Sequence, residues 1–137
     1  MSIKMAKKVL EWSNVFYTGR VCDSLVVAAI RKGISLGHSL PDVLVKSFRD
    51  SYVILNGNHR MLAYRAEGIV CEGAIAGEPS SNVYPERFIP FEEVIVRRMD
   101  NIPSCHRLID SLSYLPRDIA REFCQENDLD VNEYLSQ

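Results

Sequence analysis

The chain has 137 residues, 47% hydrophobic and 25% charged, which predicts one globular domain with a core that needs no disulfide or metal staple. Its longest apolar run, residues 25–30, has six residues. That excludes a membrane span and membrane partners, while an N-terminus without an apolar stretch and four cysteines without a C-x-x-C pair predict a cytoplasmic protein. The net charge of −2 divides into +6 over residues 1–65 (ten basic, four acidic) and −8 over residues 66–137 (six basic, fourteen acidic). An anionic ligand therefore finds its field in the first half.

In chain order, residues 7–12 read as a strand or short helix, and 13–20, with Asn14, Thr18 and Gly19, as a loop. Asp23 or Ser24 can cap a helix that places Leu25, Val26, Ala29 and Ile30 at helical spacing and that Gly33 ends. Residues 42–48 and 52–55 form a predicted hairpin about the turn 49–51. Asn56-Gly57 breaks the second strand, and 58–67 form a helix closed by Gly68. Leu62, Ala63 and Ala66 take its packed face, with His59, Arg60 and Glu67 more exposed. A strand over 69–75 is followed by a loop over 77–90, which carries Tyr84 and Arg87 and is long enough for a lid or partner surface. Residues 91–100 fit strand or helix. Two short helices over 104–114 and 116–127 follow, the second with proline in its first turn, and the acidic residues Glu122, Glu126, Asp128, Asp130 and Glu133 read as a solvated helix face and its frayed end. The predicted class is α+β: a small mixed β-sheet with packed helices over 1–100, plus a C-terminal helical appendage, 101–137, extending the same domain.

One stretch carries chemistry. Residues 52–63 (YVILNGNHRMLA) read as strand, tight turn and helix. The first amides of a helix lack intrahelical partners and sit at its positive end, so they favour an anion. Gly57 permits the sharp turn and the approach of a phosphate. Arg60 offers a forked, charge-assisted contact to phosphate oxygens, and His59 can donate or act as acid or base near neutral pH. The expected phosphate site is therefore Asn56, Gly57, Asn58, His59 and Arg60, with His59 and Arg60 as the catalytic pair.

This segment resembles the phosphate motif of the ParB/sulfiredoxin fold, which commonly reads D-G-x-H-R or G-x-x-R-x-x-A after a short strand. Gly57, His59 and Arg60 match the first form; Gly57, Arg60 and Ala63 match the second. The resemblance extends over residues 7–76, where the helix over 25–33 and the Leu40-Pro41 step into the next strand are similar to that fold's. It implies a nucleoside triphosphate, ATP or CTP with Mg²⁺, and either slow hydrolysis, phosphoryl transfer or a nucleotide-gated switch. Tyr17, Thr18, Arg20 and Ala63 are then candidate nucleotide contacts. Trp12, Phe16 and Tyr17 can form a base-stacking platform, although core packing is the commoner fate of such a cluster.

Departures from the family pattern narrow the chemistry. Sulfiredoxins carry a catalytic cysteine immediately before the His-Arg pair, where this chain has Asn58; an amide is no thiolate nucleophile, which excludes sulfinic acid reduction. Cys105-His106-Arg107 spells the motif again but lacks the strand and glycine before it. Asn56 stands where kinase and nuclease members often have aspartate, so a carboxylate must come from elsewhere, with Glu11, Asp23, Asp50 and Glu72 as candidates near element ends. The E-N-x-x-R triphosphate motif of ParB proteins has only Glu126-Asn127 as a partial counterpart. No His, Cys or carboxylate spacing predicts a structural metal. Two alternatives remain at this level: a small DNA-binding protein or nuclease of a plasmid, phage or defence system, using the positive half, and a non-catalytic interaction module that uses its C-terminal helices to form a homodimer or to inhibit a partner.

Overall fold

A computed structural model describes residues 6–76 and 88–135; the part of the predicted loop that bears Tyr84 and Arg87 lies outside them. The architecture is mixed α+β. Strands β1 (Lys7–Leu10), β2 (Val15–Phe16), β4 (Val43–Phe48), β5 (Ser51–Asn56) and β6 (Cys71–Ile75) form one sheet in the order β1-β6-β4-β5-β2. Strands β3 (Val21–Asp23) and β7 (Ile95–Arg97) pair in parallel as a second, two-stranded sheet. In the larger sheet β4 is antiparallel to β5 and parallel to β6, while β1 is antiparallel to β6 and β2 parallel to β5. Among the described residues no helix is long and apolar enough to cross a membrane.

The hairpin of β4 and β5 follows from alternating apolar residues, with Val43 and Val45 buried on one face. Its register shifts between Leu44, opposite Asn56, and Val45, opposite Ile54. Leu55 is the extra residue, and this bulge bends the end of β5 outward. Leu55 and Asn56 are exposed in consequence.

Helix α1 (Ser24–Ser35) is capped by the Asp23 carboxylate, which accepts from the Leu25 amide at 2.8 Å. It runs past Gly33, the predicted end. Gly33 is buried where a β-carbon would meet Leu115 at 3.7 Å, and the glycine with left-handed backbone is Gly37, φ +78°. Helix α2 (Asn58–Ala66) buries Met61, Leu62 and Ala63, whereas Ala66 is exposed. Leu62 and Ala63 take the packed face as expected, and the fully buried Met61 joins them in the core in place of Ala66.

The connections also differ from the sequence expectation. The predicted loop 13–20 contains β2, preceded by a 3₁₀ turn over Trp12–Asn14. Residues 91–100 resolve into a 3₁₀ turn over Phe91–Glu93 and β7, and Ile69 and Val70 lie exposed before β6. Helix α3 spans Ile102–Leu112, α4 Arg117–Glu126 and α5 Val131–Tyr134. Pro116 caps α4 from outside its first turn, and the supposed frayed end is α5, itself capped by Asp130. Helix α3 buries Ser104, Leu108 and Leu112 and packs on α1, so Leu108, Leu112, Leu115, Ala120, Phe123 and Cys124 belong to the same core as the sheet.

Candidate functional site

Gly57 sets the site. It adopts φ +118°, ψ 27°, a conformation that penalises any residue with a β-carbon, and it turns the chain from β5 directly into α2. The first helical bond runs from the Met61 amide to the Gly57 carbonyl at 2.8 Å. The amides of Asn58, His59 and Arg60 precede it and have no partner within the helix, leaving the positive end of α2 beside the end of β5.

These residues form one side of a cleft of about 530 Å³. Helix α1 supplies an apolar floor through Val26, Ala29, Ile30 and Gly33, and Leu40 and Pro41 extend it. The opposite wall is α3 and the residues just after it, with Arg107, Asp110, Ser111 and Tyr114 facing in. The cleft thus combines one polar rim, one charged wall and an apolar base.

The side chains of the motif diverge. His59 turns towards α1, where its Nε2 accepts the Asp23 backbone N–H at 3.0 Å. That bond requires the proton on Nδ1. Burial, reinforced by the Arg107 charge and only partly opposed by Asp23, pushes the imidazole down to about 4. His59 is therefore neutral at pH 7, and its Nε2 lone pair is committed. Arg60 turns the other way. Its Nη1 donates to the carbonyls of Pro41 at 2.8 Å and Asp42 at 3.2 Å, and its Nη2 to Asn56 Oδ1 at 3.4 Å. The guanidinium lies over Gly57, where a β-carbon would stand 3.0 Å from Nη2. The space that glycine leaves is taken by Arg60 itself rather than kept open for a phosphate.

Asn58 holds the other edge. Its Oδ1 accepts the Thr18 amide at 3.0 Å and its Nδ2 donates to Thr18 Oγ1 at 3.2 Å, while the Thr18 hydroxyl donates to the Ile54 carbonyl at 2.7 Å. This clasp ties the β2–β3 connection to the start of α2. Asn58 carries no thiol, and the cysteine that lines the cleft, Cys22, is pushed up to about 11 by burial, so it stays protonated.

Of the predicted nucleotide contacts, two are displaced into the core. Tyr17 is 1% exposed, pairs with Ile89 and is pushed up to about 12 by burial; Ala63 is fully buried. Neither lines the cleft. Phe16 packs on Phe88 and Trp12 lies beneath Arg65, so the aromatic cluster is packing rather than a base platform. Arg20 is exposed beside the cleft without lining it, and Thr18 acts through Asn58. Of the suggested carboxylates, Asp23 is spent on the α1 cap, Asp50 lies in the hairpin turn, Glu72 lies on β6 opposite Val9, and Glu11 is exposed before the first 3₁₀ turn. The carboxylate lining the cleft is Asp110, which the sequence pattern did not single out. Arg107, the last residue of the second Cys-His-Arg, also reaches it, while Cys105 contacts the Tyr134 hydroxyl at 3.7 Å. Among the described residues no three His, Cys, Asp or Glu side chains converge on a metal site. Compared with known proteins, the chain matches no family model and no curated sequence.

Proposed function

We propose that the cleft binds a nucleoside triphosphate, ATP or CTP, with its phosphates against the start of α2, in the manner of the ParB/sulfiredoxin-like proteins that the motif resembles. The observation that carries this reading is the junction at Gly57. Three amides without helical partners lie with a positive helix end and Arg60 beside an apolar-floored cleft whose volume suits a small ligand. A phosphate end and an apolar end within one cleft fit a nucleotide better than a simple anion or an apolar molecule.

Binding, rather than turnover, is the role best supported. His59 offers no free lone pair on Nε2, and Arg60 is anchored by backbone carbonyls. Both position the rim instead of moving protons. A Mg²⁺ ion arriving with the nucleotide would rest on the phosphates and would supply charge neutralisation there. Thermal unfolding with ATP, CTP and their diphosphates tests the reading. A ligand at 100 times its dissociation constant adds about 2.7 kcal/mol of stability, and Arg60→Ala should lose that gain. No stabilisation by any of them at millimolar concentration would remove it.

A further inference from the structure

Arg107, Asp110, Ser111 and Tyr114 lie at positions three, four and seven apart and share the face of α3 and its final turn that lines the cleft. At the helical rise, Arg107 and Tyr114 stand roughly 10 Å apart along this wall. The two ends have different neighbours. Arg107 exerts its field on His59 and on Cys22, and Tyr114 lies within electrostatic range of Arg60 at the other end. The wall therefore presents a cation, then a carboxylate and a hydroxyl, then an exposed aromatic ring. A nucleotide has the same succession of parts: phosphates, a sugar with hydroxyl donors, and a flat base.

We infer that α3 is the reading arm of the cleft, with Arg107 gripping the outer phosphates and Tyr114 stacking on the base. This rests on the nucleotide reading above. Among the described residues Arg107 has no ion-pair partner, so its charge is available to a ligand. Asp110 repels phosphate, which keeps the polyphosphate at the Arg107 end and leaves the middle of the wall to sugar hydroxyls, which donate to a carboxylate. Tyr114 is 41% exposed beside the apolar floor, as a stacking residue must be. The consequence is selectivity for nucleoside triphosphates over monophosphates, set from the C-terminal half of a chain whose motif lies in the first half.

Calorimetry on the full chain with ATP, CTP, AMP and inorganic tripolyphosphate separates the two roles. Arg107→Ala should weaken ATP, CTP and tripolyphosphate about tenfold and AMP less than about twofold, because the lost contact is to outer phosphates. Tyr114→Ala should weaken ATP, CTP and AMP about tenfold and leave tripolyphosphate unchanged, because only a base can stack. Both side chains are exposed, so the variants should unfold at the parent temperature. Equal effects of either variant on all four ligands, or no effect on any, would overturn the assignment while leaving nucleotide binding in place. If the unaltered protein binds none of the four, the nucleotide reading fails and the reading arm fails with it.

Discussion

At the scale of single residues, the motif's histidine is an acceptor before it is anything else. The Asp23 N–H bond to Nε2 survives only while His59 is neutral. Its folded value of about 4 lies below the ordinary 6.5, so the unfolded chain takes up the proton first as pH falls. The neutral ring's contribution to stability is thus intact above about pH 6.5 and is lost on acidification towards pH 4, a change of the order of 3 kcal/mol. Urea midpoints for wild type and His59→Gln should show this: the glutamine variant keeps an acceptor near the Nε2 position and should flatten the dependence between pH 6.5 and 4. An unchanged slope in His59→Gln would assign the pH dependence to other groups.

At the scale of elements, the strand–turn–helix unit is held by interactions that the sequence only half discloses. The turn at Asn56-Gly57, the hairpin about residues 49–51 and the Asp23 cap are local in origin, and local patterns revealed them. The clasp between Asn58 and Thr18 joins residues forty apart in sequence and has no local signature. Gly57→Ala should lower stability by about 1–3 kcal/mol, since φ +118° disfavours a β-carbon and Arg60 and Val43 crowd the space within 3.2 Å. Asn58→Ala should cost about 0.5–1.5 kcal/mol by removing both hydrogen bonds to Thr18, whose exposed amide then turns to water. Chemical denaturation checks both. A neutral Gly57→Ala would show that the backbone there relaxes freely.

At the scale of the whole molecule, the site is assembled from three helices, and this is where sequence reasoning ran out. Arg107, Asp110 and Tyr114 sit on an amphipathic helix whose buried residues, Leu108 and Leu112, advertise packing but not the partner. Only the docking of α3 on α1 brings its other face to the cleft, so α3, the first helix after residue 100, is a wall of the cleft and not merely part of an appendage. Tyr17 and Ala63 are buried away from the cleft for the converse reason: a motif position does not disclose whether its side chain faces the core or the cleft. The sheet itself leaves little tolerance. A β-carbon on Gly73 would lie 2.6 Å from the fully buried Leu10, so Gly73→Ala should overpack the β1–β6 contact and destabilise by about 1–3 kcal/mol, with a matching fall in melting temperature. Leu10→Ala combined with it should recover part of the crowding cost; strict additivity of the two changes would argue against contact between them.

The proposal of an anion site at the start of α2 is tested most directly by titrating tripolyphosphate and ATP into ¹⁵N-labelled protein and following every backbone amide. Saturable shifts centred on Asn58, His59 and Arg60, absent with an equal ionic strength of sodium chloride, are expected. Amide signals of these three residues that stay unmoved while others saturate, or no saturation anywhere, would contradict a phosphate site at this junction.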